Sequence, residues 1–318
     1  MTTVALAAGL VATPGAAHAA DTTTTLSATE MAAALKTVAT TTTAAAEDGW
    51  KATMSYYRGS ETVTLSYVVD PHRGVAVDHA DFGTLAFTEY AVDGKGRYTS
   101  IASSKNFRAA VRMMGRPAVK YRFRSEPGLK MDDFVDATGP APAKVLTDED
   151  IRTGTKTLHD NGSADFAYTN DDGVRFVMQV DPAGTLTDVQ VNDDGLEATL
   201  RYGYGEQQVA LPAAAATISD TTLSHGVAYL AMASTVKTVA SEAAAQTRVV
   251  AQGRTVKVAA LRKTVRTWAT LLNQRDGLKI VKVKDISRGA RVYATNPWTH
   301  KTVSYTVKAS GRKVVVKG

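Results

Sequence analysis

The chain has 318 residues, 37 Lys and Arg against 31 Asp and Glu for a formal charge of +6, 44% hydrophobic and 7% aromatic residues. That length and apolar content suit two ordinary domains with real cores. With no cysteine, a disulfide framework and a lipid-modified cysteine anchor are excluded. The charge is divided unevenly. Residues 221–318 carry 18 Lys and Arg against 3 acidic residues, a balance of +15, which leaves 19 basic and 28 acidic residues before them. A basic region of this kind can attract anionic wall polymer, a membrane surface or nucleic acid, or dock on an acidic partner domain.

In chain order, residues 1–20 read as a secretory leader: an apolar run from Val4 to Val11, a Pro14-Gly15 break, and Ala17-His18-Ala19 as a small-x-small cleavage pattern. No Lys or Arg precedes the run, so the true start is expected upstream of Met1 or the leader is clipped. The run is too short to span a bilayer. The mature chain is expected to be secreted or envelope-associated and soluble. A Thr-rich tail over 21–25 precedes Ser27, which with Glu30 spells a capping box opening a helix through Met31, Leu35 and Val38. Residues 40–46 read as a frayed helix end or linker.

From Trp50 the period becomes 2, giving strands through Ala52, Met54 and Tyr56 and through Val63, Leu65, Tyr67 and Val69. A turn at 70–74 follows, then short strands over 75–78, 85–92 and 97–101. Residues 104–114 interrupt with an amphipathic helix, Phe107, Val111 and Met114 on one side and Arg108 and Arg112 on another. A strand over 119–124 resumes the pattern, 131–137 is ambiguous, and 152–159 leads into the most regular stretch of the chain.

That stretch, 164–212, holds four alternating runs. They are joined by Asn170-Asp171-Asp172-Gly173, by Asp181-Pro182-Ala183-Gly184 and by Asn192-Asp193-Asp194-Gly195, in the order tight hairpins require. About ten strands and two helices are expected between Ser27 and Pro212. A sheet of that length in hairpin order curls under its own twist into a barrel or half-barrel. Its aromatic and Met stripe (Tyr67, Phe87, Phe123, Phe166, Tyr168, Phe176, Met178, Leu200, Tyr202) is either ordinary core or the lining of an apolar cavity. The two helices, through Met31, Leu35, Phe107, Val111 and Met114, would form its lid.

The helix-first long meander, the 181–186 turn and the closing Leu200-Arg201-Tyr202-Gly203-Tyr204-Gly205-Glu206-Gln207-Gln208-Val209-Ala210-Leu211-Pro212 resemble exported actinobacterial proteins of the LolA, LppX and LprG type. The resemblance covers about residues 27–212. It implies an α+β fold, an antiparallel half-barrel with helices over its concave face, holding lipid or lipoprotein acyl chains. The anchoring cysteine of many such relatives is lacking, so membrane tethering is not implied.

Residues 221–318 read as a smaller basic α+β domain. An Ala-rich helix over 223–250 is interrupted by Gly253, and a second helix runs over 258–273 through Leu261, Val265, Trp268 and Leu272. Four strands are expected at 278–284, 290–295, 302–308 and 313–316. The segment Gly289-Ala290-Arg291-Val292-Tyr293-Ala294-Thr295-Asn296-Pro297 weakly resembles a type IV pilin headgroup, without the apolar half-helix that fibre assembly needs.

The acidic pairs Asp171-Asp172 and Asp193-Asp194 sit in hairpin turns, where Asn, Asp and Gly supply left-handed backbone. Asp148-Glu149-Asp150 after Thr147 reads as a helix-start cap. The six histidines show no zinc-ligand spacing, and no nucleophile elbow, P-loop or dinucleotide fingerprint occurs. No catalytic residue, metal or cofactor is therefore expected. The reading is a non-enzymatic exported binder or carrier of lipid, acyl chains or a similar apolar ligand. The rival is an adhesive or scaffolding envelope protein whose basic domain binds anionic wall polymer or membrane. Nucleic acid ranks third.

Overall fold

The computed structural model describes residues 21–318 except 59–60, 148–150, 194 and 276. The leader expected over 1–20 and the cap expected at Asp148, Glu149 and Asp150 lie outside the described residues. The elements in chain order begin β1 (Thr22–Leu26), α1 (Ala28–Ala46), β2 (Trp50–Arg58), β3 (Glu61–Asp70), β4 (Val75–Asp81), β5 (Ala86–Val92), β6 (Gly96–Ser100), α2 (Lys105–Met113), β7 (Tyr121–Ser125) and α3 (Met131–Thr138). They continue β8 (Gly154–Leu158), β9 (Ala164–Thr169), β10 (Arg175–Val180), β11 (Leu186–Asp193), β12 (Leu196–Tyr204), β13 (Thr217–Ser219), α4 (Asp220–Leu230), α5 (Met232–Ala251), α6 (Val258–Arg275), β14 (Lys282–Ile286), β15 (Gly289–Thr295), β16 (Thr302–Ser310) and β17 (Lys313–Lys317).

The chain forms two compact units. One comprises the described residues up to Thr84 with Asp132–Val209, the other Leu85–Met131 with Ala210–Gly318. In the first, nine neighbouring strands run β1-β8-β9-β10-β11-β12-β2-β3-β4, every pair antiparallel. Two meanders, β8 to β12 and β2 to β4, thus meet at the β12–β2 ladder. The Thr-rich tail is the edge strand β1, its β-branched residues paired with β8 from Thr22 opposite Leu158 to Leu26 opposite Gly154.

The turn residues behave as their chemistry dictates. The Asn170 side-chain oxygen accepts from the amides of Asp172 and Val174, and Gly173 sits at φ 85°, where a side chain would be strained. Asp181 likewise caps its turn by accepting from the Thr185 amide. The Ser27–Glu30 capping box is present in both directions. Beyond Val38, α1 continues to Ala46, where a frayed end or linker was expected. The hydroxyls of Thr40, Thr41 and Thr43 are satisfied within the helix, on the Lys36, Thr37 and Ala39 carbonyls, so the polar run does not compete with helix. The ambiguous 131–137 stretch is helix α3, with Asp132 and Asp133 in its first turn.

The second unit has two parts. In one, β5, β6 and β7 form an antiparallel run extended by β13, which pairs parallel with β7. There Ala110 and Val111 of α2, with Met114 just after it, pack with Ile101, Val119, Ile218 and Leu223. In the other, α5 and α6 lie on the meander β14-β15-β16-β17. The Ala-rich stretch expected as one helix is two, α4 and α5, separated at Ala231. Residues 278–281, expected as strand, instead lead into β14, with both Val281 backbone groups held by the Asn273 side chain at 2.9 Å.

Candidate functional site

Period-2 alternation and strand register together place side chains in rows that cross the first unit's sheet. One row reads Phe166, Met178, Val189, Leu200, Met54, Leu65 and Ala80 from β9 to β4. The next reads Tyr168, Phe176, Val191, Ala198, Tyr56 and Val63. Between them, on the opposite face, lie Gln190, Thr199, Ser55 and Thr64. One face is thus apolar across seven strands, while the other is mixed, Ala167 and Val177 standing in line with Gln190, Thr199, Ser55 and Thr64.

Helix α1 and the loop after α3 cover part of the apolar face. Met31 and Leu35 are fully buried, the Met31 Cε reaching Gly154 of β8, where a Cβ would lie 2.9 Å from it and 2.1 Å from the Ala167 carbonyl oxygen. Buried Thr42 accepts the Leu186 amide at 3.1 Å. Tyr204 donates to the Leu186 carbonyl at 2.6 Å, and Tyr202 donates to the Pro140 carbonyl at 3.0 Å. The Gly139 backbone sits against the Tyr67 ring. Burial first, then the nearby Asp78 carboxylate, pushes the Tyr67 phenol up to about 12. Burial drives Tyr202 and Tyr204 higher still. Both therefore stay protonated and remain donors at any physiological pH.

The cover stops short. Tyr168 and Val63 at the flanks of the second row are buried, whereas Phe176, Val191, Ala198 and Tyr56 between them are partly exposed, as are Met54 and Leu65 in the first row. Those four occupy neighbouring strands β10, β11, β12 and β2, so the open strip is roughly 14 Å wide at the usual strand spacing. Its end wall is the stacked pair Tyr168 and Phe176, ring centroids 5.2 Å apart.

Of the residues expected to line a cavity, Tyr67, Phe166, Tyr168, Met178 and Leu200 are buried on this face, and Phe176 and Tyr202 are half-buried on it. Phe87 and Phe123 belong to the second unit, where Phe123 lies 4.7 Å from the Tyr98 ring. Of the expected lid, Met31 and Leu35 are in the first unit. Phe107, Val111 and Met114 are in the second, in the cluster under α4, with Met114 against Gly226. Tyr56, Val191 and Ala198 were not singled out from sequence. Parity could have found Ala198, two positions from Leu200 in β12, whereas Tyr56 and Val191 lie in strands with no expected lining residue and are placed only by their partners Ala198 and Phe176.

No protein-family model matches this sequence, and no curated protein matches it either. Among solved structures, the crystal structure of LprF from Mycobacterium bovis is similar with a TM-score of 0.30 and 13% identity, covering 57% of this chain and 96% of that one. A DUF1329 family protein from Desulfovibrio piger ATCC 29098 is similar with a TM-score of 0.25 and 10% identity, covering 57% and 95%.

Two sets of acidic residues tie the β8–β10 region to its neighbours through partly exposed ion pairs. Arg152 grips both oxygens of Asp171 at 2.8 and 2.6 Å, and its hydrogen bonds hold that carboxyl below the usual carboxylate range. His159 bridges Asp21 at 2.9 Å and Asp165 at 3.2 Å, and these two hydrogen bonds raise its pKa. No helix among the described residues is long and apolar enough to cross a membrane.

Proposed function

We propose that the first unit is a non-enzymatic binder of an apolar chain, such as a lipid acyl chain, in a secreted or envelope-associated protein, its curved sheet acting as an open half-barrel. The carrying observation is the strip Phe176, Val191, Ala198 and Tyr56, apolar across four adjacent strands and left partly open between buried neighbours. A polar or filled sheet face needs no such gap. An extended chain laid along the strip would be held by burial, each methylene contributing about 0.8 kcal/mol, without a charged contact. Met54 and Met178 bordering it suit a variable guest, since thioether side chains repack readily. The sequence resemblance to LolA, LppX and LprG type proteins points to the same class of ligand.

The test is titration of the purified protein with a fluorescent long-chain fatty acid, alongside native mass spectrometry of the protein as isolated. Val191→Glu places a charge in the middle of the strip and should weaken binding by about tenfold or more. Gln190→Glu, one residue away on the opposite face, should leave it unchanged. If the unaltered protein takes up no fatty acid, or the two variants bind alike, the reading fails.

A further inference from the structure

Six of the 18 Lys and Arg of residues 221–318 share one face of the second unit's small sheet. In the meander β14–β17, alternate residues face α5 and α6: Ala290, Val292, Ala294, Val307, Ala309 and Val314 are buried in that core. The residues between them form the other face. Register sets Lys284 beside Arg291, Arg291 beside Thr306, and Thr306 beside Lys317, one row across all four strands. Adjacent rows hold Lys282, Tyr293 and Ser304 on one side and Gly289, Lys308 and Val315 on the other, with Ser310 and Lys313 beyond.

All six cations, Lys282, Lys284, Arg291, Lys308, Lys313 and Lys317, are exposed, and no Asp or Glu occupies this face. The acid of β14, Asp285, has the opposite parity and pairs with Arg266 at 2.7 Å and Arg262 at 3.7 Å. Arg262 also donates to the carbonyls of Ile286 and Gly289. Arg262 and Arg266 of α6 therefore bind the meander, while the sheet cations stay outward. Arg291 is preset over the Tyr293 ring at 5.5 Å and donates to the Ser304 hydroxyl at 3.2 Å.

We infer that this face binds a linear polyanion with phosphate groups along its length. The central row of cations and a hydroxyl crosses three strand spacings, about 14 Å, a track for an extended chain. The guanidinium of Arg291 and the hydroxyl of Ser304 supply directional donors for phosphate oxygens. A membrane surface is the poorer fit, because cations alone are drawn to anionic lipid only electrostatically, while seating at the interface adds apolar side chains that insert. The large aliphatic side chains on this face are the exposed Val315 and the half-buried Ile286 opposite Gly289. The inference is independent of the acyl-chain reading and concerns different residues.

The experiment uses the full chain and a fluorescently labelled linear inorganic polyphosphate, titrated at several salt concentrations. With six contacts and a slope of about 0.7 per phosphate, affinity should fall roughly 300-fold between about 50 and 200 mM salt. The variant Lys284→Gln/Arg291→Gln/Lys317→Gln should halve the slope, to a fall of roughly 20-fold over the same range, with unchanged thermal unfolding. A control removing three charges on the helices of the same unit, Lys237→Gln/Arg248→Gln/Lys263→Gln, should bind as the unaltered chain does. Equal losses in the two variants would mean net charge alone and would overturn the assignment, as would binding to vesicles of about one-third anionic lipid in the absence of polyphosphate binding.

Discussion

Single residues carry two sharp dependences. His159 gains its partners Asp21 and Asp165 only when β1 and β9 flank β8, and its folded pKa is raised above the ordinary 6.5. Its contribution is therefore complete below 6.5 and is lost as pH rises through the higher folded value. Thermal unfolding of the unaltered protein should fall over that window more than that of His159→Gln, which has no proton to lose. A parallel pair of curves would sink the idea. The second dependence is the contact of Gly154 with Met31. Met31→Ala removes a fully buried side chain and should cost about 2–5 kcal/mol in urea unfolding. Gly154→Ala should also destabilise, since its Cβ would fall 2.1 Å from the Ala167 carbonyl oxygen.

Among the elements, α1 is the most informative, because its start is written locally and its function is not. Ser27→Ala removes both the hydroxyl that caps the Glu30 amide and its contact to the Glu30 carboxylate, which should cost about 1 kcal/mol. Chemical denaturation would read this directly. If the loss is confined to α1, hydrogen exchange should quicken in its first turn before the strands respond. The capping box, the Asn-Asp-Asp-Gly and Asp-Pro-Ala-Gly turns and the alternation of β9 to β12 were legible because each is decided by residues within a few positions. The continuation of α1 through its threonines was not. Thr42 is buried because Leu186, 144 positions away, offers its amide to it.

At the scale of the molecule, the second unit is assembled from distant segments. Ile101, Val111, Met114 and Val119 share a core with Ile218 and Leu223, and Asn296 donates to the Met113 sulfur at 3.0 Å. Trp298 meets Tyr229 edge-on at 5.5 Å. A chain ended at Pro212 would leave that core without β13 and α4. Such a fragment is expected to expose apolar surface around α2 and to bind more of an apolar dye such as ANS than the full chain does at the same concentration. Equal dye binding by the two would show that α4 adds no cover.

Alternation, caps and turn residues determined, by themselves, that this protein has an antiparallel meander with one apolar face and a basic helix-then-strand region, since those features follow from neighbours along the chain. Tertiary structure decided where the two meanders join, through the pairing of β12 with β2, and which apolar residues were covered. It also decided that six of the cations share one acid-free surface. Register between strands far apart in sequence fixes those outcomes, and register depends on packing that no local pattern encodes.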